Sequence, residues 1–202
     1  MIGRTNCGAG GGGKAVITVY GGANEVITYA GAETGTITLN SSGQGTAALK
    51  KGFYSFTAAL SGMTIAKACE NGTTVRLRPE RFIYWYGVLG AVIEHTGTGS
   101  ITYNDNSFKL ITGGTNWAYA KSGIDCSQDT KLSVRCTDVK NVSTYCRMEY
   151  GSSQINLARE NTVSLAYTYG ASNQPTLRIY NYQDRYDYAF VTEWYLGERE
   201  AA

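Results

Sequence analysis

Aromatic and polar side chains alternate over residues 180–188, near the end of the sequence. The stretch reads YNYQDRYDY, so tyrosines stand beside amide, carboxylate and guanidinium groups within nine residues. Proteins bind sugars with aromatic rings that pack on the sugar's C–H faces and with polar groups that bond its hydroxyls. This composition predicts a ligand site. Its predicted residues are Tyr180, Tyr182, Asp184, Arg185 and Tyr186.

A second aromatic segment, TNWAY at residues 115–119, follows a Gly-Gly turn. Its Trp117 and Tyr119 are added to the predicted ligand site. Packing is the alternative for both segments, because tyrosine and tryptophan also dominate cores and interface hot spots. In a homo-oligomer, one ring can serve a subunit interface and a groove beside it.

The strand that leads into residues 180–188 decides which of its side chains share a face. Successive side chains of a strand point to opposite faces of the sheet. Leu177 and Ile179 are apolar and are expected to face the core. We therefore expect Arg178, Tyr180 and Tyr182 on the opposite face.

No catalytic, metal-binding or cofactor-binding group emerges from the sequence. His95 is the single histidine, and its neighbour Glu94 must face the other side of a predicted strand. We predict a strand-surface histidine, no metal and no cofactor, since zinc sites need close cysteine or histidine pairs. The run GAGGGGKA at residues 8–15 approaches a phosphate-binding loop, but it ends in Ala15 where that loop needs Ser or Thr.

An enzymatic alternative rests on the carboxylates of the C-terminal region. Glycoside hydrolysis needs two carboxyl groups across a cleft. The candidates for such a pair are Asp184, Asp187, Glu193 and Glu198. We expect the chain not to be an enzyme, with a polysaccharide-degrading enzyme as the alternative.

The five cysteines are spread along the chain. They are Cys7, Cys69, Cys126, Cys136 and Cys146. An odd number without close pairs predicts free thiols that pack as small hydrophobic side chains. A bridge between Cys126 and Cys136, or between Cys136 and Cys146, stays open if the protein meets an oxidising medium.

Short runs rich in Thr, Val, Ile and Tyr, separated by Gly, Asn, Asp and Ser, predict an all-β chain. Asn71-Gly72 predicts a tight hairpin, because both residues tolerate a positive φ. Trp85 and Trp194 are predicted core residues, and residues 153–160 could hold a helical turn. Strands are predicted near residues 81–86, 91–96, 99–103, 107–112, 131–138, 143–150, 162–169, 177–182 and 188–196.

Composition changes at Pro79, which we predict as a domain boundary. Residues 1–79 hold 15 of the 25 glycines and a net charge of +4, whereas residues 80–202 hold every tryptophan and a net charge of −2. We predict a glycine-rich leader over residues 1–13, a small β-sandwich over residues 14–79 and a jelly-roll-type β-sandwich over residues 80–202. Frequent strands separated by turns are typical of such sandwiches.

Charge and hydropathy exclude several function classes. The net charge of the 202 residues is +2, which argues against binding nucleic acid by phosphate neutralisation. No run approaches the roughly 18 apolar residues of a membrane span, so no membrane insertion is expected. The first six residues hold no apolar segment of the secretory type, so we expect assembly in a bacterial cytoplasm.

The opening MIGRTNCGAGGGG of residues 1–13 resembles the start of tail-associated proteins of phages and prophages from gut Firmicutes. In that group a short leader with a glycine run precedes variable β-rich modules. Residues 14–79 are similar to small immunoglobulin-like or prealbumin-like modules, on the stretch GQGTAALKKGFYSFT at residues 43–57. Residues 80–202 look like a β-sandwich of the lectin or carbohydrate-binding-module type.

This resemblance implies a virion protein of the tail fibre or baseplate that mediates attachment to the host cell. The leader and first module would contact other virion proteins, residues 80–202 would bind a host-surface glycan or protein, and the chain is expected to form a homo-oligomer. A capsid decoration protein or head fibre is the alternative within the virion. A polysaccharide-degrading tail enzyme and a cellular adhesin are the others.

Overall fold

The computed structural model describes residues 13–114, 116–140, 146–180 and 187–199. Every regular element in these ranges is a β-strand, so the predicted all-β sandwich fold is confirmed. The described part of the chain contains no helix, and hence none long and apolar enough to cross a membrane. Of the predicted leader, only Gly13 falls within the described residues.

Residues 14–76 form two sheets around one core. Their strands are β1 (Lys14–Tyr20), β2 (Val26–Gly31), β3 (Thr34–Thr38), β4 (Gln44–Lys50), β5 (Gly52–Ala58), β6 (Thr64–Cys69) and β7 (Thr74–Arg76). One sheet has the order β4-β1-β7 and the other the order β3-β2-β5-β6. Alternate residues point inwards, and Ile17, Ile27, Leu49 and Phe56 from both sheets share the core.

The Asn71-Gly72 turn does not form the predicted hairpin. Gly72 has the expected positive φ of 84°, but β6 and β7 belong to different sheets because β7 pairs with β1. The turn is held on β1, where Val16 N donates to Asn71 Oδ1 at 3.2 Å and Gly72 N donates to Val16 O at 2.9 Å. The local sequence thus indicated the turn correctly but not the partner of the strand that follows it.

In the described part of residues 80–202, the strands form two further sheets. They are β8 (Phe82–Trp85), β9 (Val88–Leu89), β10 (Ile93–Gly97), β11 (Ser100–Tyr103), β12 (Phe108–Ile111), β13 (Trp117–Ser122), β14 (Lys131–Val139), β15 (Cys146–Tyr150), β16 (Ser153–Asn156), β17 (Thr162–Ala166), β18 (Thr176–Tyr180) and β19 (Tyr188–Leu196). One sheet runs β10-β13-β18-β15-β16. The other runs β11-β12-β19-β14-β17, with β8 on β19 and β9 on β8. Side chains from both sheets, among them Phe108, Val134 and Met148, form the second core.

Two segments of this region differ from the sequence-based expectation. Residues 117–122 form a central strand, β13, that was not predicted as one. Residues 153–156 form the strand β16 where a helical turn was considered, because they pair with β15 from Tyr150↔Ser153 to Arg147↔Asn156. At the edge of a sheet, β16 exposes Gln154 and Asn156, which left little apolar alternation to recognise.

A third buried cluster lies where the strands before and after Pro79 meet. It contains Ala23, Phe82, Trp85, Tyr86, Val88 and Tyr195, with Leu60 and Met63 packed against it. Trp85 and Trp194 are fully buried, as predicted, and β8 pairs with β19 across Trp194↔Tyr84. Each sheet takes its strands from one side of Pro79 only.

Candidate functional site

The outer face of the five-stranded sheet carries aromatic side chains on β13. Trp117, Tyr119 and Lys121 alternate with Ala118, Ala120 and Ser122, which are buried. Because alternate residues of a strand face opposite sides, the small residues face the core and the large ones face outwards. Each of the three outward residues is half-buried.

Strand β18 continues this face beside β13. Leu177 and Ile179 are buried, whereas Arg178 and Tyr180 lie on the opposite face, as the alternation predicts. The register places Trp117 opposite Tyr180 and Tyr119 opposite Arg178. Two segments about 60 residues apart in sequence, each expected to contribute to a ligand site, therefore share one surface.

The three rings form a compact group, here called the aromatic platform (Trp117, Tyr119 and Tyr180). The centroids of Trp117 and Tyr180 are 4.4 Å apart with an interplanar angle of 42°, and those of Trp117 and Tyr119 are 6.3 Å apart. The Arg178 guanidinium carbon lies 3.3 Å from the centroid of the Trp117 ring. A cation this close to an aromatic face is attracted by the ring's quadrupole, and the contact holds the indole in place.

Charged side chains border the platform on β15. Arg147 lies opposite Arg178 in register, and we call these two residues the arginine pair. Glu149 Oε1 contacts Arg178 Nη1 at 3.1 Å and Arg147 Nε at 2.5 Å. On β13 itself, Lys121 Nζ is 5.4 Å from the centroid of Tyr119. The face thus combines flat apolar rings with directional N–H donors.

On the outer face, residues that are paired in register form two rows across the five strands. One row is Thr96, Tyr119, Arg178, Arg147 and Asn156. The next row is Glu94, Lys121, Thr176, Glu149 and Gln154. Such a surface can stack a flat ligand on its rings and bond the ligand's hydroxyl or acidic groups at its edge.

Four predicted site residues, Tyr182, Asp184, Arg185 and Tyr186, lie outside the described residues. The described chain ends at Tyr180 on β18 and resumes at Asp187, whose N–H donates to Thr112 Oγ1 at 3.1 Å.

Sequence reasoning missed Arg147, Glu149 and Lys121. The alternation Cys146-Arg147-Met148-Glu149-Tyr150, with buried residues at every second position, does indicate that Arg147 and Glu149 share the outer face. Which strand lies beside β15 depends on long-range pairing, and local periodicity carries no information about that.

His95 lies on the core-facing side of β10, opposite Ala120, rather than on the strand surface as predicted. It is half-buried, and its Nε2 atom is buried. Glu94 takes the outer face, so alternation along β10 turns His95 inwards. The two residues are on opposite faces, as expected.

The carboxylates considered for hydrolysis occupy separate environments. Asp184 lies outside the described residues, and Asp187 is buried. Glu193 is buried where the two cores meet, and it accepts hydrogen bonds from Tyr86 and Arg199. Burial raises the pKa of Glu193. Glu198 is exposed and pairs with Lys131.

The cysteines within the described ranges are free thiols. Cys69, Cys126, Cys136 and Cys146 are all buried and unbridged, so neither of the two bridges considered above is present. Burial raises the pKa of Cys136 and Cys146 to about 12, which keeps both thiols protonated and unreactive. Cys7 lies outside the described residues. Among the described residues, no three His, Cys, Asp or Glu side chains are grouped to hold a metal ion.

The comparison with solved structures finds matches, whereas the other two comparisons find none. No protein-family model matches the chain, and no curated protein matches it. A solved structure of a DUF3823 family protein from Bacteroides ovatus is similar over 89% of this chain and 96% of that chain. The sequences are 11% identical, and the TM-score is 0.29.

Proposed function

We propose that this chain is a non-enzymatic virion protein of a phage tail fibre or baseplate that binds a host-surface glycan. The aromatic platform is the proposed binding site. The observation that carries the proposal is the Trp117–Tyr180 pair on the outer face of a central strand pair, with Arg178 packed on the indole. The virion assignment rests on the resemblance of residues 1–13.

The placement of the rings supports binding rather than core packing. The platform residues are half-buried on the outer face, while small Ala118 and Ala120 fill the inner positions of the same strand. Side chains on the inner strands of a sheet are held more rigidly than side chains on loops. Rigid aromatic rings lose little conformational entropy when a ligand packs on them.

The carboxylates that the structure describes on this face, Glu94 and Glu149, do not suit glycoside hydrolysis. Glu94 and Glu149 share one row of the sheet, with Lys121 and Thr176 on the two strands between them. At about 4.8 Å per strand, their backbones are about 14 Å apart. Hydrolytic pairs need carboxyl groups about 5 to 9.5 Å apart. Glu149 is also engaged by the arginine pair.

Binding of the purified protein to wall polysaccharide from a Gram-positive host tests the proposal. We expect Trp117→Ala to raise the dissociation constant at least about 10-fold, because a central stacking residue contributes about 2 kcal/mol or more. Tyr169→Ala is the matched control, since Tyr169 is 48% exposed and lies beside Gly123 and Asn173, at the ends of β13 and β18 opposite to Trp117 and Tyr180. Equal effects of the two substitutions, or no binding by the natural protein, would contradict the proposal.

Electron microscopy of particles labelled at residue 202 tests the virion assignment. Label at the tail supports a fibre or baseplate protein. Label on the capsid supports the alternative of a decoration protein or head fibre. Particles that carry no label would remove the virion assignment but leave the glycan test above intact.

The proposed attachment through residues 1–79 has its own measurement. We propose that the leader and first module contact other virion proteins and a second copy of this chain. The mass in solution is compared between the full chain and a variant without residues 1–13. A change from oligomer to monomer on truncation supports assembly through the leader, and an unchanged mass contradicts it.

A further inference from the structure

We infer that the glycan bound at the aromatic platform is anionic, and that the arginine pair holds its carboxylate or phosphate group. This inference rests on the proposed function and names the ligand class of the same site. The observation behind it is the charged side chains beside the rings. A ligand that only stacks on the rings would not need these charges.

The arginine pair is an unusual arrangement for a sheet surface. Arg147 and Arg178 are directly opposite each other on β15 and β18, and like charges in this position destabilise a strand pair. Among the described residues, Glu149 is the carboxylate within ion-pair distance of both. Two guanidinium groups and one carboxylate leave one positive charge beside the rings.

This charge is poorly screened by solvent. The side chains of Arg147, Arg178 and Glu149 are 20%, 22% and 19% exposed. Charges that are mostly buried interact more strongly than charges in open solvent, and salt screens them less. The exposed fifth of each arginine is the part that a ligand can reach.

Within the ranges that the structure describes, the hydrogen-bonding capacity of the pair is only partly used, and Nε of each arginine is buried without a hydrogen-bond partner. Each guanidinium has five N–H donors, and both contacts described here meet the same oxygen, Oε1 of Glu149. Guanidinium groups bind carboxylates and phosphates through two parallel hydrogen bonds. An acidic group on the ligand would supply the acceptors that Glu149 alone does not.

Neutral polar residues complete the row and favour a sugar over a nucleic acid. Asn156 and Thr96 stand at the two ends of the row that contains the arginine pair, where they suit hydroxyl groups. Single-stranded nucleic acid needs a positive groove that follows its backbone. Here Glu94 and Glu149 interrupt the positive charge, and residues 80–202 carry a net charge of −2.

The test uses the wall polysaccharide of the binding experiment in three forms. These are the intact polymer, the polymer with its carboxyl groups amidated, and the polymer after hydrofluoric acid has removed its phosphodiesters. We expect one treatment to weaken binding at least about 10-fold, and the effective treatment distinguishes a carboxylate from a phosphate. If neither weakens binding, the anionic ligand is wrong while glycan binding stands. If none of the three polymer forms binds, both proposals fail. If oligo(dT) binds more tightly than the intact polymer, the ligand is a nucleic acid and not a glycan.

Two substitutions are expected to act in opposite directions. Arg147→Gln should weaken binding of the intact polymer about 10-fold, because hydrogen bonds to charged groups contribute enough for that factor, and should leave the neutralised polymer unaffected. Glu149→Gln should tighten binding of the intact polymer several-fold, because it removes the competing carboxylate.

Arg159→Gln is the control, since this arginine is 56% exposed and pairs with Asp138 in the other sheet. Melting temperatures verify that each variant folds. If Arg147→Gln does not fold, Arg147→Lys takes its place, because lysine keeps the positive charge but lacks the two parallel N–H donors of the guanidinium group. A purely structural role predicts that Arg147→Gln and Glu149→Gln weaken binding alike. That result would overturn the inference.

Discussion

Glu193 is a fully buried carboxylate where the two cores meet. Its Oε1 accepts a hydrogen bond from the Tyr86 hydroxyl at 2.8 Å and contacts Arg199 Nη2 at 3.0 Å. The same Arg199 nitrogen donates to Ser61 O at 2.6 Å. Burial raises the pKa of Glu193, and the hydrogen bond from Tyr86 together with the charges of Arg199 and Arg135 offsets only part of that effect. The ionised form of Glu193 is therefore destabilised by folding.

The raised pKa of Glu193 predicts a pH-dependent stability. A carboxyl with a raised pKa in the folded state contributes its full stability below its ordinary value, about 4.5. That contribution is lost as pH rises through the raised pKa. Glu193→Gln keeps a neutral group in place, so we expect the free energy of unfolding of the natural protein to fall relative to the variant between pH 4.5 and neutrality. Urea unfolding over this pH series measures the difference, and parallel profiles would contradict it.

At the scale of elements, tight loops fix the order of the strands. Gly99 connects β10 to β11 with a φ of 103°, and a Cβ atom there would lie 1.9 Å from Ile111 O. Only glycine adopts this conformation next to a backbone carbonyl without displacement. The loop joins the sheet of the platform to the facing sheet.

We expect Gly99→Ala to lower the free energy of unfolding by about 1–3 kcal/mol, because the new side chain strains the backbone and clashes with the Ile111 carbonyl. Gly123→Ala is the matched control, because nothing lies within 4 Å of a Cβ atom at that position. Chemical denaturation of both variants gives the comparison. Similar stabilities would show that the loop adapts at little cost.

The sequence predicts the elements better than their neighbours. Alternation places β19 at residues 188–196, as found, and assigns the outer face to Arg178 and Tyr180. It could not place Trp117 opposite Tyr180, because a pairing between strands so far apart in sequence depends on the whole topology. It also missed the arginine pair, since Arg147 gains its role only when β15 lies beside β18.

At the scale of the whole molecule, the third buried cluster couples the strands before and after Pro79. Trp85 packs edge-on against Tyr86 and Tyr195, with ring centroids 5.5 and 5.8 Å apart. Leu60 and Met63, from the first half of the chain, contact the same cluster. Removing this apolar contact would expose surface on both sides.

The cluster predicts that the natural protein unfolds in one transition. Trp85→Ala should cost about 3–5 kcal/mol, the usual range for a buried tryptophan, and should separate unfolding into two transitions. Scanning calorimetry follows both events. Trp194→Ala, a buried change in the second core alone, is the comparison and should lower the stability of residues 80–202 selectively. A single transition in Trp85→Ala would show that other contacts couple the two halves.

Strands β1 and β7 run parallel, and Thr18 N donates to Thr73 O while Leu77 N donates to Tyr20 O. A pulling force applied between the N-terminal end of β1 and the C-terminal end of β7 therefore loads this strand pair in shear, parallel to the strand axes. The evenly spaced bonds of a parallel pair then share the load together, whereas a terminal hairpin would peel open one bond at a time. If the chain is anchored at its N-terminal end and pulled from its C-terminal region, the force thus acts on the β1–β7 pair in the direction in which the pair resists separation best.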